Sequence, residues 1–208
     1  MLVAPVSPSD ADEDVAKLYG RLADLLGRDS LPESFHAYGR VPPFLKDLFM
    51  NLKKFVIGDG ALGEPLRAKL ALAVAVHAKN ADWVDLLTER AEAHGIDAQT
   101  RADVVAVAAT NYMYNTFFKF RTLSGTDRFD NLSVGLRAHT FQGTSLPDDE
   151  VELINIVISD LNACAPCVSG HVEKAKQLGL KDEQMLEAIQ LAGVVYAGAM
   201  FLNAAKMG

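Results

Sequence analysis

The sequence predicts an all-α protein. Three observations carry that prediction. Apolar residues recur at helical spacing through nearly every segment, prolines and most glycines fall between those segments, and no set of alternating apolar and polar runs marks out strands. Half of the 208 residues are hydrophobic. That suffices for a sizeable core in one or two domains and argues against disorder.

Taken in order, "DEDVAKLYGRLADLLG" (12–27) sets Val15, Leu18, Tyr19, Leu22, Leu25 and Leu26 on one stripe, with acids at its start and Gly27 at its end. "PPFLKDLFMNLKKFVI" (42–57) is a second amphipathic helix entered through prolines. Helical spacing continues in 64–78, 82–95, 98–121, "NLSVGLRAH" (131–139), 148–161, 167–179 and 182–206. "INIVI" (154–158) is β-branched, but it lies inside a longer pattern that opens with acids after Pro147, so it reads as helix.

A pattern echo appears at an offset of 84 residues. Gly95 aligns with Gly179, Ala108 with Ala192, Tyr112 with Tyr196 and Phe117 with Phe201. The expected organisation is an N-terminal helical extension (1–45) and an all-helical domain (46–208). That domain would hold two related halves, about 46–121 and 132–208, joined by the loop-like "TLSGTDRFDN" (122–131). In this alignment the first half has Asn80, Trp83 and Leu87 where the second has Cys164, Cys167 and His171.

The formal net charge is −7 and no basic run occurs, which argues against nucleic acid or an anionic membrane surface as partner. The N-terminus lacks the cationic start and apolar stretch of a signal peptide. The most apolar segment, 191–205, is short for a membrane span and reads as a core helix. A cytoplasmic location is expected. There thiols stay reduced, and a C-x-x-C pair is more often catalytic or metal-binding than a structural staple.

"NACAPCVSGH" (162–171) concentrates the chemistry, because Cys164 and Cys167 are the only cysteines. Cys164, Cys167 and His171 fall on one helix face, with Cys164 at or just before the first turn and Asn162 as a candidate cap. Unpaired N–H groups and the positive dipole of a helix start stabilise thiolate, lowering a cysteine from its free value of about 8.5. His171, one turn beyond Cys167, is placed to accept its proton. The two sulfurs are close enough to form a disulfide. Glu152, in the preceding apolar helix, is a candidate to orient His171 as the third member of a nucleophile–base–orienter set.

These residues resemble a known family. "ELINIVISDLNACAPCVSGH", Glu152 to His171, is similar to the E-x11-C-x-x-C-x3-H signature of the alkylhydroperoxidase AhpD family, within the wider carboxymuconolactone decarboxylase-like fold. The resemblance runs from about residue 50 to the C-terminus. It implies an all-helical subunit with duplicated cores, assembled as a trimer or hexamer. It also implies a redox dithiol that reduces hydroperoxides or passes electrons to a peroxiredoxin, recharged by a dihydrolipoyl-type thiol. By position, Cys164 and Cys167 form the disulfide, while Glu152 and His171 form the proton relay. Cys167, nearer His171, is the candidate attacking thiolate, although the helix N-terminus favours Cys164. Some members carry a histidine between the cysteines, where this chain has Ala165 and Pro166. Pro166 has no N–H to offer a thiolate.

Rival readings are weaker. Glu152, Cys164, Cys167 and His171 are ligand types that zinc accepts, but structural zinc sites use more cysteines, and no metal or cofactor is expected. A lactone decarboxylase needs no dithiol, and a scaffold needs neither cysteine. "GDGALG" (58–63) matches G-x-G-x-x-G without the strand and parallel sheet of a dinucleotide site, so it reads as a loop. His36, His77, His94 and His139 have no patterned acid or cysteine nearby. The aromatic "NYMYNTFF" (111–118) reads as core or subunit interface.

Overall fold

The computed structural model describes residues 1–207, among which there is no strand. Helix α1 (Glu13–Leu25) starts where the Asp12 side chain accepts the Val15 N–H. A 3-10 segment (Glu33–Arg40) leads to α2 (Pro42–Asn51), which runs on as a wider π turn (Leu52–Ile57). Then come α3 (Glu64–His77), α4 (Ala81–Ala93) and the long α5 (Ala98–Leu123). A four-residue α6 (Thr140–Gly143) precedes α7 (Asp148–Leu161), α8 (Ala165–Gln177) and α9 (Asp182–Lys206).

Helix starts recur at the offset of 84 residues. Adding 84 to the first residues of α3, α4 and α5 gives the first residues of α7, α8 and α9. The helices also exchange partners. α5 of the first half packs on α7, α9 of the second packs on α3, and α3 and α7 touch each other. This crossed arrangement buries α7 on nearly all sides, which explains why "INIVI" is apolar throughout while helical.

Residues from the first 45 share the same core. Phe35, Tyr38, Leu45 and Trp83 are among its fully buried side chains. The Tyr38 hydroxyl donates to the Gly198 carbonyl at 2.8 Å and accepts from Trp83 Nε1 at 2.9 Å. The Val3 N–H donates to the Ala205 carbonyl. α9 is long and apolar enough to cross a membrane by length and composition. In this fold its Leu191, Val195, Ala199 and Leu202 lie in the core.

Two expectations are corrected. "NLSVGLRAH" (131–139) is not helical. Gly135 is left-handed at φ 67, Leu132 is exposed, and α5 side chains take its carbonyls: Arg121 that of Leu132, and the Tyr114 hydroxyl that of Leu136 at 2.9 Å. A short segment with no core to face does not gain enough to form a helix.

Asn162 does not cap α8. It closes α7, and Cys164 takes the N-cap position without a side-chain cap bond. The reason is the turn between the helices. The Cys164 N–H reaches back to the Ser159 carbonyl at 3.0 Å and the Ala163 N–H to that of Asp160 at 2.8 Å, with Ala163 at φ 53. This is a Schellman ending in which a left-handed residue follows the C-cap. The first half repeats it between α3 and α4, with Lys79 at φ 55, Lys79 bonded to Val76 and Asn80 bonded to Ala75. The "GDGALG" residues form the expected loop, in which the Ala61 N–H donates to Glu187.

Candidate active site

The site is built where α7, α8 and α5 meet. α7 supplies Glu152, one turn inside an acid-rich helix start. Asp148 and Asp149 meet solvent in part or whole, whereas Glu152 is 1% exposed because its side of α7 is covered. α8 supplies its partners. His171 Nδ1 lies 2.7 Å from Glu152 Oε2, and Lys174 Nζ donates to Oε1 at 2.7 Å. Burial pushes the Glu152 carboxyl up, but hydrogen bonds from His171 and Lys174 outweigh it and hold the carboxyl below its ordinary value. An ionised carboxylate only accepts, so Nδ1 is the donor to Glu152 and Nε2 is the ring nitrogen left to take a proton.

Cys164 and Cys167 are joined in a disulfide, with Cα atoms 5.3 Å apart. Cys164 is 1% exposed and Cys167 8%. Of the two, Cys167 lines a cavity of about 360 Å³. α8 contributes Cys167, Gly170, His171 and Lys174 to that wall, which is one face of a helix. Opposite stand Tyr114, Asn115 and Phe118 of α5 and Phe141 of α6. The cavity is therefore largely apolar, with a sulfur, an imidazole and an ammonium on one side.

Behind the disulfide lies a buried polar ladder. Asn115 Nδ2 donates to Asn111 Oδ1 at 2.6 Å and to Ser159 Oγ at 3.0 Å, and Asn162 Nδ2 donates to Asn115 Oδ1 at 2.9 Å. Lys119 Nζ donates to the Asn162 carbonyl at 3.1 Å. The turn that presents Cys164 is thus tied to α5 on two sides. These groups satisfy one another, whereas the neighbouring buried Asn155 side-chain amide of α7 has no hydrogen-bond partner among the described residues.

All four residues singled out in the sequence, Glu152, Cys164, Cys167 and His171, fall in this region. Glu152 meets His171 directly, and Cys167 and His171 share the cavity wall. Sequence reasoning missed Lys174 and the asparagines. The signals were present: Lys174 follows His171 by three positions, and Asn111 and Asn115 stand one turn apart on α5. "NYMYNTFF" proves mixed, since Tyr114, Asn115 and Phe118 face the cavity.

The remaining histidines are not on the cavity wall. His36 stacks near Tyr19, and His77 lies between Tyr112 and Tyr196. His94 does have an acid nearby, Glu64 at 3.5 Å, which tertiary packing rather than sequence spacing supplies. Among the described residues, no three His, Cys, Asp or Glu side chains converge as a metal ligand set.

Comparison with known proteins places this architecture. Residues 128–207 match the carboxymuconolactone decarboxylase family. A solved structure described as a gamma-carboxymuconolactone decarboxylase subunit from Burkholderia xenovorans LB400 superposes with a TM-score of 0.60, covering 92% of this chain and 97% of that one. At 18% identity the likeness is one of fold. The fold is therefore the all-helical carboxymuconolactone decarboxylase-like one, and residues 128–207 resemble that family in sequence. Over most of its length the chain is also similar to AhpD proteins. It is 26% identical over 169 residues to the alkyl hydroperoxide reductase AhpD of Methylocella silvestris, covering 81% of this chain and 94% of the relative. It is 27% identical over 167 residues to that of an Anaeromyxobacter species, strain Fw109-5, covering 80% and 89%.

Proposed function

We propose that this chain is a thiol-dependent peroxidase or disulfide reductase that works through the Cys164–Cys167 pair. The observation that carries the reading is the placement of Cys167. It lies on the wall of an apolar cavity, one helical turn before a histidine whose other nitrogen is held by a buried carboxylate. That is the arrangement of a nucleophile, its base and the orienter of the base. The AhpD relatives, named for alkyl hydroperoxide reduction, support the same reading.

In the proposed cycle the reduced Cys167 thiol gives its proton to His171 Nε2. The thiolate attacks the terminal peroxide oxygen. An S–O bond forms, the O–O bond breaks, and the departing alkoxide takes the proton from His171 and leaves as an alcohol. Cys167 is now a sulfenic acid. The Cys164 thiol condenses with it, releasing water and forming the disulfide. An external dithiol, of dihydrolipoyl type in this reading, reduces the disulfide by exchange and is itself oxidised. Cys167 attacks and Cys164 resolves, because the cavity reaches Cys167 while Cys164 is held in the turn behind it. Glu152 stays ionised throughout. Transfer of electrons to a peroxiredoxin would use the same disulfide. Lactone decarboxylation, the other chemistry of this fold, has no use for the pair.

The test is a free-thiol count on fully reduced protein before and after one equivalent of an organic hydroperoxide. The expected result is a fall from two thiols, the whole cysteine content, to none. An unchanged count would remove direct peroxide reduction and leave disulfide exchange with a protein partner.

A further inference from the structure

The Glu152 carboxylate serves two partners, and the second has no part in the cycle above. Lys174 follows His171 by three positions on α8, so the two side chains rise from the same face. One takes each carboxylate oxygen, both at 2.7 Å. Lys174 is 54% exposed at its side chain and His171 22%, whereas Glu152 is 1% exposed. A buried carboxylate facing a lone histidine would draw a second proton onto that ring, because imidazolium is the counter-ion it lacks. Here a permanent cation already supplies the counter-charge.

We propose that Lys174 is a positioning residue that shares the Glu152 carboxylate with His171 and so leaves the ring's Nε2 open to accept a proton. By neutralising Glu152, it lets the carboxylate hold the Nδ1 tautomer without trapping the ring as imidazolium. The inference rests on the reading of His171 as the proton acceptor of Cys167.

The surrounding charges do not substitute for it. Lys69 of α3 pairs with Glu150, Lys119 of α5 with the Asn162 carbonyl, Asp103 of α5 with Ser145, and Glu187 of α9 with Arg67. On α8 itself Lys176 faces Asp182. Tyr114 reaches the cavity but donates its proton to Leu136. Arg137 and His139 stand in the connection before α7, and Glu173 beside Lys174. All of these stay unchanged in the variants below.

The experiment is an NMR titration of the His171 ring in reduced wild type, Lys174→Met and Lys174→Arg. In parallel, the pH dependence of Cys167 alkylation is followed in a Cys164→Ser background. Lys174→Met is expected to raise the His171 midpoint by about half a pH unit or more and to move the alkylation profile with it. Lys174→Arg is expected to restore both. Lys174→Gln serves if the methionine variant does not fold. A His171 midpoint that stays in place or falls in the neutral variants overturns the proposal. The titration needs no peroxide, so a protein inert to hydroperoxide would defeat the peroxidase reading while Lys174 is still judged on its own.

Discussion

His171 meets Glu152 through Nδ1, and this one contact of 2.7 Å decides which ring nitrogen is available for chemistry. Replacing His171 by Asn removes the proton acceptor while keeping a polar group. Alkylation of Cys167 at neutral pH is expected to slow by about 10²–10⁴-fold, the usual worth of a positioned base. Glu152→Gln keeps the shape but frees the ring to turn and change tautomer, so a smaller loss is expected. Stopped-flow measurement of single-turnover peroxide reduction by reduced protein would check both. Equal wild-type rates in the two variants would remove the relay.

The same carboxylate makes stability depend on acid. Its native pKa lies below its ordinary value of 4.5, so the unfolded chain binds its proton first as pH falls. The stabilisation is fully present above about pH 4.5 and is lost as pH drops through the lower native value. Glu152→Gln is expected to cost about 1–3 kcal/mol at pH 7. It should also flatten the fall in stability below that point. Urea unfolding of both proteins at neutral and acid pH gives the comparison.

Ala163 is left-handed at φ 53, a conformation that a side chain makes unfavourable by about 1–2 kcal/mol. Ala163→Gly removes that strain but loosens the unfolded chain. A net gain of up to about 1 kcal/mol is expected in a urea melt, with the disulfide intact in both proteins.

Tyr38 is buried with its hydroxyl bonded to both Gly198 and Trp83. Tyr38→Phe leaves a carbonyl and an indole N–H without a partner. A loss of about 2–4 kcal/mol is expected, with peroxide kinetics unchanged because the residue lies outside the cavity. Altered kinetics at constant stability would show a coupling that the packing does not contain.

Gly170 lines the cavity, and open space surrounds the point where its Cβ would stand. Gly170→Leu is expected to fill part of that space without straining the helix. KM for a bulky aryl hydroperoxide should rise at least about tenfold while hydrogen peroxide turnover changes little. Equal effects on both peroxides would mean that substrate does not enter there.

Helical spacing made the fold class and most helices legible, and the motif located Glu152, Cys164, Cys167 and His171. The failures share a cause. Local pattern could not show that 131–139 faces no core, or that Asn162 is needed to end α7 rather than to begin α8. Nothing in the local pattern marks Lys174, because its partner Glu152 comes from another helix. The asparagines of α5 have no partner in their own segment apart from each other; Ser159 and Asn162 at the end of α7 meet them only in the folded chain.

The turns at Lys79 and Ala163 match in backbone geometry, yet they present different side chains. In the first, Trp83 stands in the place of Cys167, and Tyr38 from the leading segment is bonded to its ring nitrogen. At the first turn the matching position serves the core, and at the second it carries the cysteine on which the proposed function rests. With only two cysteines in the chain, the proposed cycle would let each molecule store a single electron pair, to be refilled by a donor at one address before the next turnover.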